Sequence, residues 1–295
     1  GNLVLPRREP TRVLVGEDKP EYIPKGGIII VDCEVVKRQF RRLREDLNLM
    51  LPDEFGDAPI DSFERIKWLE MLRENGEIDG YTTTRSLHSY IANKPRRHTL
   101  GLQRDNEQRF RFIPVPLEGY TVLVSRKDFP LAKFSTTYDA GASTCLRLEM
   151  TILDNLDHKF HNKIGLFMEQ RKISTVYKEA EKIGDEFALK GVGVQNPRKK
   201  EGKNRIELLL ELVSKNGNVT AGVDRLFDPS ESHSALVTAL NDWSQMIEIL
   251  KETPTEEKRG RMKEIMNEYI DQMIENNRIG EDEIYKPMLH DYDLF

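Results

Sequence analysis

A run of basic side chains in the first half of the chain could hold phosphate groups. Between residues 85 and 111, seven Lys and Arg residues stand against only two acidic ones, Asp105 and Glu107. Arginine predominates, and its planar guanidinium group can donate two parallel hydrogen bonds to one phosphate or carboxylate. The candidate phosphate ligands of this run are Arg85, Lys94, Arg96, Arg97, Arg109 and Arg111.

Two further basic clusters could act in the same way. Residues 33–51 predict a helix whose apolar positions Val36, Phe40 and Leu43 share one face. Its opposite face carries Arg38, Arg41 and Arg42, with few acidic neighbours for the i, i+4 pairs that surface helices usually form. Residues 191–203 predict an exposed loop that contributes Lys199 and Lys200.

The basic run also has a purely structural interpretation. In the sequence Arg-Phe-Arg-Phe at 109–112, the two-residue period of a strand places both phenylalanines on one face and both arginines on the other. Such a strand forms one half of a hairpin with an apolar inner face and a solvated outer face. The sequence therefore allows two interpretations of these arginines: they bind a ligand, or they are simply solvated.

The elements of residues 1–140 predict a mixed α+β domain. A buried strand at 26–31 precedes the 33–51 helix, and Asp61 with Glu64 marks the start of another helix. A helix from about 82 is expected to pass through Tyr90 and end before Pro95. Three strand-like runs follow, at 97–102, 109–115 and 120–126. Paired helices followed by a hairpin predict a domain of winged-helix type.

Residues 141–295 predict an all-α domain of helical hairpins. Apolar residues recur at helical spacing through 145–172, 176–187 and 205–215. Asp228-Pro229-Ser230-Glu231 then supplies a cap, a first-turn proline and an acidic third position, and residues 253–256 repeat the signal. We therefore place a domain boundary near residue 140.

Catalytic motifs are scarce in this sequence. No P-loop, HExxH or GxSxG pattern occurs, and Cys33 and Cys145 lie far apart. His158 and His161, with Asp154 and Asp157 beside them, leave a metal-dependent hydrolase or nuclease as a weaker alternative. We otherwise expect no metal and no cofactor.

Charge and composition set the remaining expectations. Residues 1–140 carry 23 basic and 22 acidic side chains, and the remainder carries 22 and 28. Local clusters, not the net charge, must therefore attract an anionic partner. We predict a non-enzymatic protein of regulatory, replication, partition or viral packaging type that binds the phosphates of DNA or RNA.

We expect the C-terminal helices to mediate self-association or contact with a protein partner. The principal alternative is a protein-binding or assembly module that contacts no nucleic acid. The first ten residues lack the apolar stretch of a signal peptide, and no run is long enough to span a membrane. A cytoplasmic protein is expected, or a nuclear one in a eukaryotic host.

Overall fold

The chain is an α+β protein with helices packed on two larger sheets. The computed structural model describes residues 2–8, 10–102, 110–186, 188–189 and 204–251. Its α-helices are α1 (Glu34–Leu43), α2 (Pro52–Phe55), α3 (Ser62–Glu74), α4 (Arg85–His88), α5 (Ala140–Asn155), α6 (Ile173–Ile183) and α7 (Ser232–Lys251). Its strands are β1 (Asn2–Val4), β2 (Arg12–Val15), β3 (Ile28–Ile30), β4 (Asn48–Met50), β5 (Gly80–Thr84), β6 (Arg97–Leu100), β7 (Val122–Val124), β8 (Ile164–Lys172), β9 (Asn204–Val213) and β10 (Thr220–Phe227).

The first large sheet has five strands in the order β4-β3-β5-β2-β6. Strands β4, β3 and β5 run parallel, whereas β2 is antiparallel to both of its neighbours. Helix α1 covers one face and helix α3 the other. Because both faces of β3 are covered, its sequence is a continuous apolar run, in which Ile29 packs towards Phe40 and Ile30 towards Leu69.

The second large sheet is antiparallel, in the order β10-β9-β8. Leu208, Leu210 and Leu212 of β9 are fully buried in one core with residues of α5 and α7. The opposite face of β9 is covered as well, because Leu209 packs on Ile113 and Phe167. The central strand therefore has no solvent-facing side.

Two helix-start predictions are confirmed by their capping geometry. The Asp61 carboxylate accepts hydrogen bonds from the backbone N–H groups of Phe63 and Glu64, at 2.9 and 3.0 Å. Asp228 accepts from the Ser230 N–H at 3.1 Å, one turn before α7 begins. Both caps accept hydrogen bonds from first-turn N–H groups that have no carbonyl partner within the helix.

The winged-helix prediction was wrong for the described residues. Where a second helix was expected after residue 82, the β-branched run at Gly80–Thr84 forms β5, and α4 spans only Arg85–His88. Within the described residues the three expected strands form no ladder with one another, although the Phe112 N–H donates to the Gly101 carbonyl at 2.9 Å. Strand β6 pairs with β2 and β7 pairs with β1, while residues 110–115 contain no strand.

The all-α prediction for residues 141–295 was also wrong where the structure describes them. Residues 164–172, 204–213 and 220–227 are strands, although α5, α6 and α7 are helical. A strand buried on both faces is apolar at almost every position, and such a run fits helical spacing as well as strand spacing. The helix predicted after residue 253 lies outside the described residues. The boundary near residue 140 stays a prediction.

The turn between β9 and β10 requires glycine at position 217. Gly217 has φ +83°, and a Cβ atom there would lie 2.5 Å from the Arg42 nitrogen and 2.6 Å from the Arg41 carbonyl carbon. Glycine thus permits both the left-handed backbone and the close approach of the turn to α1.

We expect Gly217→Ala to lower the free energy of unfolding by about 2–3 kcal/mol, from left-handed strain and from overpacking against backbone. Urea denaturation measures the change. Gly76→Ala is the matched control, because Gly76 has φ +74° but no atom within 4 Å of the added Cβ. Equal losses in the two variants would show that the contact with α1 contributes nothing.

Candidate nucleic-acid interface

The basic face of α1 is not a free surface. Arg38 is buried, and its guanidinium group donates to Glu34 at 2.7 Å and to the Val213 carbonyl at 3.1 Å. The Arg42 side chain is 8% exposed and pairs with Glu211 at 2.7 Å. These arginines join α1 to β9, so a phosphate group would reach them only by displacing internal partners.

Arg111 belongs to the same internal network. Its guanidinium group lies 3.4 Å from the Glu211 carboxylate and 2.8 Å from that of Asp224. Arg42 also donates to the backbone carbonyl of Arg111. We name Arg42, Arg111, Glu211 and Asp224 the buried charge network. No strand forms at residues 110–115, and Phe112 packs in the core beside α1 while Arg111, expected to meet solvent, contacts carboxylates of the second sheet.

Other predicted ligands differ in their surroundings. Arg41 is half-buried, and no described carboxylate pairs with it. Arg85 is exposed at the start of α4. Arg109, Lys199 and Lys200 lie outside the described residues.

Three predicted ligands remain exposed and without a described carboxylate partner. Lys94, Arg96 and Arg97 occupy the connection from α4 into the edge strand β6, and we name them the exposed basic segment. Lys94 has φ +42°, a left-handed conformation that turns the chain at this point. An anion could approach all three side chains without breaking an internal ion pair.

The backbone of this segment is held in place by His88. The buried His88 ring lies with Nε2 3.0 Å from the Pro95 carbonyl and with Nδ1 3.2 Å from Arg97 Nη1. Nε2 donates and Nδ1 accepts in the tautomer that satisfies both contacts. The Arg96 carbonyl in turn accepts from the Gly16 N–H at 3.1 Å. These hydrogen bonds hold the backbone of the exposed basic segment in place, while its basic side chains extend into solvent.

An exposed aromatic pair lies between α3 and α4. Phe63 is 46% exposed and Tyr90 is 69% exposed, and their ring centroids lie 5.1 Å apart in an edge-to-face arrangement. Sequence reasoning missed this pair because Tyr90 was expected inside a helix that begins near residue 82, whereas α4 ends at His88 and the ring lies beyond it. No local signal in the sequence marked the pair.

The strand register relates these features. Strand β2 pairs Arg12 with Thr84 at one end and Val15 with Arg97 at the other. Arg85 and Arg97 therefore lie at opposite ends of β2, about 10 Å of strand apart. Because β5 and β6 also flank β2 on opposite sides, these exposed cations do not form a single point site.

The described residues offer little support for a metal centre. Within them, no group of three or more His, Cys, Asp or Glu side chains is placed to hold a metal ion. The His158 and His161 rings do lie together, with centroids 4.7 Å apart, but His161 Nε2 contacts the Leu156 carbonyl at 3.2 Å.

No protein-family model matches the sequence, and no curated protein matches it significantly. Within the ranges that the structure describes, no helix has both the length and the apolar character needed to cross a membrane.

Proposed function

We propose that the chain is a nucleic-acid-associated protein that contacts the phosphate backbone of DNA or RNA through the exposed basic segment. The observation that carries this proposal is the contrast among the predicted ligands. Arg38, Arg42 and Arg111 form contacts inside the fold, whereas Lys94, Arg96 and Arg97 meet solvent where the chain enters the edge strand β6. Exposed cations without carboxylate partners attract phosphate and release condensed counterions on binding.

The exposed aromatic pair adds a second kind of contact. Aromatic rings on a basic surface stack with unpaired bases, and this stacking tolerates any base sequence. Phe63 and Tyr90 present ring surface in the same α3–α4 region from which the basic segment departs. Together these features support backbone binding with weak sequence preference, which suits a binding or packaging role and requires no catalysis.

We expect the triple variant Lys94→Gln/Arg96→Gln/Arg97→Gln to bind nucleic acid at least about tenfold more weakly than the parent protein. Loss of three phosphate contacts should also reduce the slope of log affinity against log salt by about 2–3. Fluorescence anisotropy with labelled single-stranded and double-stranded DNA and RNA, each at several salt concentrations, measures both quantities.

A matched control distinguishes loss of these three contacts from the effect of a lower net charge. Lys127, Lys133 and Lys178 are exposed elsewhere, and changing all three to Gln removes the same net charge. The control variant should retain affinity and salt slope. Absence of binding by the parent protein at low salt, or equal losses in the two variants, would overturn the proposal. The first outcome would favour a protein-binding role.

A further inference from the structure

The parallel part of the first sheet has a topological switch point. From the central strand β3, the chain passes through α1 to β4 on one side, and later through α3 to β5 on the other. Helix α1 follows β3 and helix α3 follows β4, and the two helices cover opposite faces. The connections that leave the carboxyl ends of the adjacent strands β3 and β4 therefore diverge. In open α/β sheets a crevice at this place is the usual ligand site.

A crevice of about 570 Å³ lies at this edge. We name it the carboxyl-edge crevice. Its walls combine the segments after β3 and β4 with the start of α3, the 115–117 segment and residues 161–162 before β8. Its volume lies within the range of sites for small organic ligands. It is separate from the exposed basic segment, none of whose residues lines it.

One wall of the crevice is held rigid by ion pairs. Arg12 donates to Asp32 at 2.6 Å and also pairs with Glu118. The Thr82 hydroxyl donates to the other Asp32 oxygen at 2.6 Å. Arg12 reaches this edge because β2 runs antiparallel to β5. These groups shape the crevice, but they already bind one another and are not available as ligand contacts.

Other polar groups of the crevice have bonding capacity left. Arg65 is oriented by hydrogen bonds from Nε to the Pro59 carbonyl and from Nη2 to the Ile60 carbonyl, at 2.8 and 3.4 Å. Its Nη1 bonds to no described residue, and it forms no ion pair there. Asp53 and Asn162 are exposed and likewise make no side-chain hydrogen bond within the described part of the chain.

This combination selects the ligand class. We propose that the carboxyl-edge crevice binds a phosphorylated sugar, with Arg65 holding the phosphate and Asp53 accepting hydrogen bonds from sugar hydroxyl groups. A pre-oriented guanidinium suits phosphate oxygens, and an ionised carboxylate, which only accepts, suits hydroxyl donors. The apolar wall of Leu51, Pro52 and Val115 packs against the carbon face of the ring.

The only cysteine that lines the crevice points to binding without a covalent step. Burial and the neighbouring Asp32 carboxylate raise the pKa of the Cys33 thiol to about 12. The thiol is therefore neutral at physiological pH and a poor nucleophile.

Isothermal titration of the full chain with ribose 5-phosphate and with inorganic phosphate tests the site. We expect the parent protein to bind ribose 5-phosphate with a Kd of about 1 mM or tighter, and inorganic phosphate more weakly. Arg65→Met should weaken both ligands at least about tenfold. Asp53→Asn should weaken ribose 5-phosphate alone, by about threefold or more, because inorganic phosphate has no sugar hydroxyls.

Arg147→Met is the matched control, because Arg147 is exposed on α5 and does not line the crevice. It should change neither affinity. The site is disproved if the parent protein shows no binding up to about 10 mM, or if Arg147→Met weakens binding as much as Arg65→Met. Since Arg65 also holds residues 59 and 60, Asp53→Asn keeps the test decisive if Arg65→Met misfolds: unchanged ribose 5-phosphate affinity in Asp53→Asn overturns the proposal. Nucleic-acid affinity depends on a different surface, so either proposal can fail alone.

Discussion

We expect Glu149→Ala to destabilise the protein by about 3–5 kcal/mol, because it leaves the Arg7 guanidinium buried without its counter-charge. Arg7 Nη1 lies 2.6 Å from Glu149 Oε1, and their side chains are 9% and 0% exposed. Chemical denaturation followed by circular dichroism measures the loss. A loss of this size is a large fraction of the stability of an ordinary domain.

The surroundings of Glu149 explain why no neighbour can substitute for it. Its carboxylate also accepts from the backbone N–H groups of Leu117 and Met168, at 3.0 and 2.8 Å. Arg7 is in turn stacked on Tyr120, with its guanidinium carbon 4.1 Å from the ring centroid. Burial raises the pKa of Glu149 even though Arg7 opposes this effect. The pair therefore ties the N-terminal segment to α5 and β8.

A double variant separates loss of the pair from burial of a lone charge. Arg7→Met/Glu149→Leu removes both charges with similar side-chain volume. It should recover part of the stability lost in Glu149→Ala, because the Leu117 and Met168 N–H groups still lack their acceptor. Glu64→Gln, in an exposed pair with Lys67, should leave the melting temperature unchanged. If Glu149→Ala melts like Glu64→Gln, the buried pair does not hold these segments together.

The second large effect is expected in the buried charge network. Glu211 is 1% exposed and faces two guanidinium groups, those of Arg42 and Arg111. Glu211→Ala should therefore lower the free energy of unfolding by about 3–5 kcal/mol, since Arg42 keeps no carboxylate partner within the described residues. Urea denaturation measures the loss. Coincident transitions at two wavelengths would indicate that the two sheets still unfold together.

Asp224→Asn provides the graded comparison for this network. Asp224 is half exposed, and within the described residues it pairs with Arg111 alone, which retains Glu211. Asp224→Asn should therefore lower the free energy of unfolding much less than Glu211→Ala does. Equal effects would mean that burial of the carboxylate does not determine its contribution, contrary to our account of how α1 is joined to β9.

Local signals were sufficient for several elements of the fold. Asp61 and Asp228 begin helices because a carboxylate at the N-cap satisfies backbone N–H groups nearby in sequence. The apolar run before Asp32 forms a strand that is buried on both sides. Such features depend on residues a few positions apart, and a single sequence contains them in full.

The strands of the second half could not be recognised in this way. In β9, Leu208 and Leu210 pack on one side and Leu209 on the other, so the run lacks the alternation of a half-buried strand and fits helical spacing equally well. The choice of strand depends on β8 and β10, which supply its backbone hydrogen-bond partners. Those partners are distant in sequence, and their pairing is a property of the whole fold.

The basic residues show the same contrast between local sequence signals and tertiary structure. The sequence alone determined where cations are concentrated, which residues share a strand or helix face, and that familiar catalytic motifs are missing. Only the tertiary structure decided which cations meet a carboxylate inside and which meet solvent. Glu211 lies 169 positions from Arg42, and no local pattern reveals that they pair at 2.7 Å. Lys94, Arg96 and Arg97 stay outside because they lie where the chain enters an edge strand, with no described element packed over them.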